Sequence, residues 1–196
     1  MALGWESTRD TLDAKSWTCG YCGKAVGGNV GYRRSKSEDK SKRIYICPHC
    51  QNPTAFIVEA SDEGVVTAHI PGAPYGRDVH DLPDEVEIAY SEARRCVQFR
   101  AYTAAALMLR KLLMHVSVDM GAERGEAFSY YVTYLDENHF IPPDGKRWVD
   151  ELRRYGNEAT HKIAVVGEED AKRLLDFAEM LLLFCYEFPA RVHDNV

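Results

Sequence analysis

Four cysteines set in two tight pairs, Cys19-x2-Cys22 and Cys47-x2-Cys50, constrain this 196-residue chain more than any other feature. A Cys-x2-Cys pair lets two thiolates bind one ion, and a second pair completes the tetrahedron that Zn2+ accepts with sulfur ligands. Residues 23 to 46 separate the pairs, a stretch that a hairpin can return across. Two disulfides or a redox Cys-x-x-Cys are the alternatives, and neither accounts for two such pairs as well. The pattern predicts one structural Zn2+ held by Cys19, Cys22, Cys47 and Cys50. Four thiolates leave no open coordination position, so the ion should hold a fold and do no chemistry. His49, inside the second pair, is a spare ligand that four thiolates make unnecessary.

At 45% hydrophobic residues the chain can bury one good core and a small satellite domain. It contains no run of eighteen apolar residues, so no membrane span is predicted. The opening Met-Ala-Leu-Gly-Trp-Glu lacks the basic end and apolar stretch of a signal peptide. Together with reduced thiolates for zinc, this points to a cytoplasmic protein. Cys96 and Cys185 stand in apolar helical stretches and read as small buried hydrophobes. Charge is uneven: residues 1–70 carry nine Lys/Arg against eight Asp/Glu, and residues 71–196 carry fifteen against twenty-two. Arg33, Arg34, Lys36, Lys40, Lys42 and Arg43 face only Glu38 and Asp39. This basic segment between the cysteine pairs can meet phosphates, or be a solvated hairpin tip.

The chain reads as an N-terminal extension (1–16), a small β zinc ribbon (17–70), a linker (71–82), a helical bundle (83–190) and a tail (191–196). Strands are predicted over Arg43–Ile46, Thr54–Ala60 and Val65–Ile70, with Asp62-Glu63-Gly64 as a turn. Pro71-Gly72-Ala73-Pro74-Tyr75-Gly76 sustains neither regular structure. About five helices follow: Asp84 to Gln98, Ala101 to Met120, Glu126 to Glu137, Asp144 to Lys162, and a last one opening on Glu168, Glu169 and Asp170 and ending before Pro189. The fold class is therefore mainly α, a helical bundle with a small β ribbon in front. Tyr130, Tyr131 and Tyr134 on the third helix read either as a base-stacking stripe or as half-buried packing.

On the fourth helix Arg154, Asn157, Glu158 and His161 fall at i, i+3, i+4 and i+7 and share one face, with Arg153 at its margin. A cation, an amide and an imidazole in a row can bind a phosphate and move a proton, or can be a polar face tied to loop carbonyls. No Gly-rich phosphate loop, Ser-His-Asp order or His-Glu-x-x-His element is present.

Several stretches resemble a bacterial family catalogued as domain of unknown function 4145: Leu82-Pro83-Asp84-Glu85-Val86, Tyr90-Ser91-Glu92-Ala93, Ala104–Leu112 with Arg110, and Arg153 through His161. That family looks like a branch of the HEPN superfamily of helical bundles, many of them metal-independent RNases of toxin and defence systems. The resemblance implies an HEPN-like bundle and a homodimer. It matches His161 to the signature histidine, Asn157 to a polar neighbour, and either Arg153 or Arg154 to the signature arginine. Met114 departs from the pattern, where similar sequences place a glutamate, and so weakens any role for Arg110. The implied function is a nucleic-acid-directed protein of prokaryotic defence or toxin type, read as a metal-independent endoribonuclease acting on RNA. The competing readings are a non-catalytic zinc-ribbon adaptor or regulatory module with a protein or nucleic-acid partner, and a nucleotide-binding regulator that uses the Arg/Asn face without cleaving.

Overall fold

The computed structural model describes residues 10–33, 43–61, 64–141 and 165–193. The chain forms two units, Met1–Pro74 with Gln98–Arg100, and Tyr75–Val97 with Ala101–Val196. The first contains five antiparallel strands lying side by side in chain order: β1 (Asp10–Thr18), β2 (Ala25–Arg33), β3 (Arg43–Ile46), β4 (Pro53–Ser61) and β5 (Gly64–Ile70). The meander curls into a half-barrel. Its core is Leu12, Trp17, Tyr45 and Phe56 with Cys19 and Cys47. The three rings meet edge-on or tilted at centroid distances of 4.9 to 5.8 Å, the geometry that aromatic quadrupoles favour.

The mainly α fold, an HEPN-like bundle of about five helices with a small ribbon, is overturned. The sheet is five strands, not an appendage of three, and the described residues contain four α-helices of ten residues or more. β1 and β2 carry few strand formers, so their pairing comes from tertiary contacts that propensity does not report. Gly31 shows how. A Cβ there would collide with the Ile44 carbonyl oxygen and come within 2.9 Å of Leu12 Cδ1, so the glycine is demanded by the sheet although it weakens a strand. In β1 the register shifts between Thr11 and Lys15, which breaks the two-residue alternation that marks a strand in sequence.

The second unit contains α1 (Asp84–Gln98), α2 (Tyr102–Asp119), α3 (Phe128–Glu137) and α4 (Glu168–Leu182). α1 buries Val86, Tyr90, Ala93 and Val97 on one stripe and places Asp84, Glu85 and Glu87 at its positive end. α2 buries Leu109, Leu112, Leu113 and Val116 and stops at Gly121, whose φ of +104° suits glycine. α4 does not end before Pro189. A π turn (Leu183–Glu187) continues it into a short helix, Phe188–His193. The Phe188 N–H bonds to the Leu183 carbonyl, five residues back, so the ladder is already displaced where Pro189 enters without an N–H.

Residues 75–81 carry no regular structure and are held by polar contacts to α1 and α4. Arg94 donates to the carbonyls of Tyr75 and Gly76, at 3.0 and 2.9 Å. Glu187, 1% exposed, accepts the His80 N–H at 2.8 Å and contacts Arg77 and Arg191. The His80 hydrogen bond holds the Glu187 carboxyl below its ordinary 4.5; burial opposes this, and the Arg191 and Arg77 charges add to it. Arg94 does the same to Asp78, below 3.8. A depressed folded value contributes stability above the unfolded value and loses it as pH falls through the folded one. Thermal unfolding followed by helical circular dichroism should therefore show stability falling as pH drops below the ordinary carboxylate range. Glu187→Gln should start less stable and lose less on acidification; an unchanged acid profile would contradict the role given to this carboxylate.

Candidate metal centre

Cys19 follows β1 and Cys22 precedes β2; Cys47 follows β3 and Cys50 precedes β4. Two hairpin connections thus meet at one end of the sheet, and they fold alike. The Cys19 N–H donates to the Lys24 carbonyl and the Gly23 N–H to the Cys19 carbonyl, both at 2.9 Å. The Cys47 N–H donates to Asn52 and the Gln51 N–H to Cys47, both at 3.0 Å. In each turn the residue after the second cysteine is left-handed, Gly23 at φ +67° and Gln51 at φ +62°. Glycine takes this conformation freely and glutamine does not, yet both turns keep it.

The four sulfurs lie within 4.8 Å of one another. Cys19 Sγ is 3.7 Å from Cys50 Sγ, and Cys22 Sγ is 4.0 Å from Cys47 Sγ. Disulfides would need about 2.05 Å. A tetrahedron with zinc–sulfur bonds of about 2.3 Å has edges of roughly 3.8 Å. The residues fit a metal ion such as zinc, and what the cluster offers it is four soft donors around one point.

Protonation differs across the set. Burial pushes the Cys19 thiol up to about 12, against the pull of the Cys22 and Tyr21 backbone N–H groups. Burial also resists ionisation of Cys50, but hydrogen bonds from Asn52 and from Cys47 and Cys19 outweigh it and bring that thiol down to about 7. The Asn52 side-chain amide donates to Cys50 Sγ at 3.5 Å, a contact that orients a ligating sulfur.

The other sequence-selected residues fall elsewhere. His49 is exposed, with Nε2 2.7 Å from Lys24 Nζ, and does not join the sulfurs. Arg153, Arg154, Asn157 and His161, with the whole predicted fourth helix, lie outside the described residues. Arg110 sits over the Phe128 ring at 4.6 Å. Tyr131 is buried, and the Tyr134 hydroxyl donates to the Met120 carbonyl at 2.9 Å, so these two pack the helices. Burial raises the Cys185 thiol to about 12. One grouping went unread: His115 and Asp119, one helical turn apart on α2, together with Tyr186. The i, i+4 spacing was its only sequence signal.

Fold and site define a protein with a sheet unit carrying a four-cysteine cluster that could hold a metal ion, followed in the chain by a helical unit. The chain belongs to the family described as Domain of unknown function (DUF4145), whose model matches residues 91–195. No curated protein and no solved structure matches the chain. Among the described residues no helix is long and apolar enough to cross a membrane.

Proposed function

We propose that this chain is a nucleic-acid-directed protein of prokaryotic defence or toxin type. In this reading one Zn2+ on Cys19, Cys22, Cys47 and Cys50 organises the sheet unit, and Arg153, Arg154, Asn157 and His161 cleave RNA without a metal. The supporting observation is the antiparallel register of β2 with β3, which sets the backbone of Arg33 opposite that of Arg43. Both ends of the cation-rich segment 33–43 therefore close one hairpin. They do so at the ends of β2 and β3 remote from the sulfurs, since Cys22 adjoins the start of β2 and Cys47 the end of β3. A closed metal site fixes the base of the hairpin, and its cations are directed to phosphates.

For cleavage, His161 takes the proton of a ribose 2′-hydroxyl, whose oxygen attacks the adjacent phosphorus. The 5′-oxygen leaves and takes up a proton, giving a 2′,3′-cyclic phosphate and a 5′-hydroxyl. Arg153 or Arg154 stabilises the phosphorane charge, and Asn157 holds the phosphate. A homodimer is the assembly this reading expects. The second reading is a non-catalytic adaptor, favoured by the closed four-sulfur geometry, which suits a rigid binding scaffold.

The test is incubation with total RNA in magnesium-free buffer, comparing wild type, His161→Ala and Arg153→Ala/Arg154→Ala. Loss of a general base should slow cleavage by about 100-fold or more. Equal cleavage by His161→Ala removes that residue from the mechanism, and no cleavage by wild type leaves the adaptor.

A further inference from the structure

One face of α2 carries Lys111, Met114, His115 and Val118 at i, i+3, i+4 and i+7. With Arg124 of the α2–α3 connection and Tyr131 of α3, this face lines an open cavity of about 470 Å3, within the roughly 300–1,000 Å3 of small-ligand sites. Lys111 and Arg124 are exposed and, among the described residues, have no ion-pair partner. By contrast, Arg77, Arg94, Lys172 and Arg191 of the same unit each meet a carboxylate.

The histidine of the cavity is held from behind. The Tyr186 hydroxyl, on the π turn, donates to Asp119 Oδ2 at 2.9 Å, and His115 Nε2 stands 3.6 Å from the same oxygen. Burial, and then the bond to Asp119, push the Tyr186 hydroxyl well above its ordinary 10.0, so it remains a donor. A carboxylate fixed in this way stands as an acceptor beside the imidazole. Such π turns recur at functional sites.

The lining also holds the carboxylate of Glu126, whose backbone N–H donates to the Tyr131 hydroxyl at 3.1 Å. This mixture of signs selects among anions. Inorganic phosphate would meet Asp119 and Glu126 as like charges. A phosphorylated ribose would give them hydroxyl donors while its phosphate meets the cations. Met114 and Val118, both half-buried, add an apolar surface on which a flat base can lie.

We infer that this cavity binds a nucleotide, with its phosphate on Lys111, Arg124 and His115, its ribose hydroxyls toward Asp119 and Glu126, and its base against Met114 and Val118. The site shares no residue with the proposed RNA-cleaving set and goes beyond that reading. The ligand is either a free nucleotide or the phosphorylated end of an RNA.

The experiment uses the full chain carrying His161→Ala, so that cleavage cannot consume a probe and a failed nuclease reading leaves the result intact. Adenosine 5′-monophosphate, adenosine, inorganic phosphate and a 5′-phosphorylated dinucleotide are titrated by calorimetry. The monophosphate should bind saturably. Adenosine and inorganic phosphate should each bind about tenfold more weakly or worse, as should the monophosphate on Lys111→Ala or Arg124→Ala. Both side chains are exposed, so these variants keep the fold. Tighter binding of the dinucleotide makes an RNA end the ligand, and tighter binding of the monophosphate makes it a free nucleotide. No saturation by either at about 1 mM, equal binding of adenosine and its monophosphate, or variants indistinguishable from the parent would overturn the inference.

Discussion

Treatment with a chelator strong enough to strip thiolate-bound zinc is expected to unfold the sheet unit while the helices persist. Among the described residues the buried apolar core of that unit is six residues, and two of them are cysteines of the cluster, Cys19 and Cys47, each with no exposed surface. The apolar surface of Leu12, Trp17, Tyr45 and Phe56 is small against the chain entropy of five strands. Structural zinc supplies on the order of 10–16 kcal/mol of apparent binding free energy, comparable to the roughly 5–15 kcal/mol that separates folded from unfolded in a whole domain. Losing the ion also leaves four sulfurs crowded within 4.8 Å. Hydrogen exchange read by mass spectrometry should show protection lost across β1 to β5. The helical core, built from residues between Val79 and Cys185, should keep its protection. Cys47→Ser should reproduce the chelated state in protein never exposed to chelator. Retained sheet protection after the metal is gone would show that the aromatic cluster carries the unit unaided.

The second large effect is expected at Leu109. This side chain is completely buried in the helical core among Leu112, Leu113, Val116, Leu175 and Leu181. Leu109→Ala should cost about 2–5 kcal/mol, the transfer free energy of the lost atoms plus the cavity they leave. Leu107, two residues earlier on α2, is 59% exposed, and Leu107→Ala should stay within about 0.5 kcal/mol. Urea unfolding of the pair, followed by helical circular dichroism, isolates burial from helix propensity because both replace the same residue in the same helix. Equal midpoints would contradict the assignment of the buried face of α2.

What could be read from the chain follows from where its signals are local. The cysteine pairs were legible because a Cys-x2-Cys turn needs only its own residues, and the matched hydrogen bonds of Cys19 and Cys47 bear this out in geometry. α1 was legible to the residue, since Val86, Tyr90, Ala93 and Val97 repeat at helical spacing behind an acidic first turn. β3 to β5 showed through β-branched runs. β1 and β2 did not: Gly31 is there for close approach across the sheet, and only the folded neighbour explains it. The exit past Pro189 was hidden for a related reason. A π turn is a displacement of the hydrogen-bond ladder, with no pattern of residues to announce it. The cavity grouping of His115, Asp119 and Tyr186 joins positions 67 residues apart, so spacing could suggest two of its members and never the third.

X-ray absorption at the zinc edge, on protein purified without added metal, tests the central claim most directly. One ion per chain with four sulfur neighbours at about 2.3 Å is the expected result. A shell containing nitrogen or oxygen, a protein free of metal, or cysteines paired as disulfides in a folded sheet unit would contradict it.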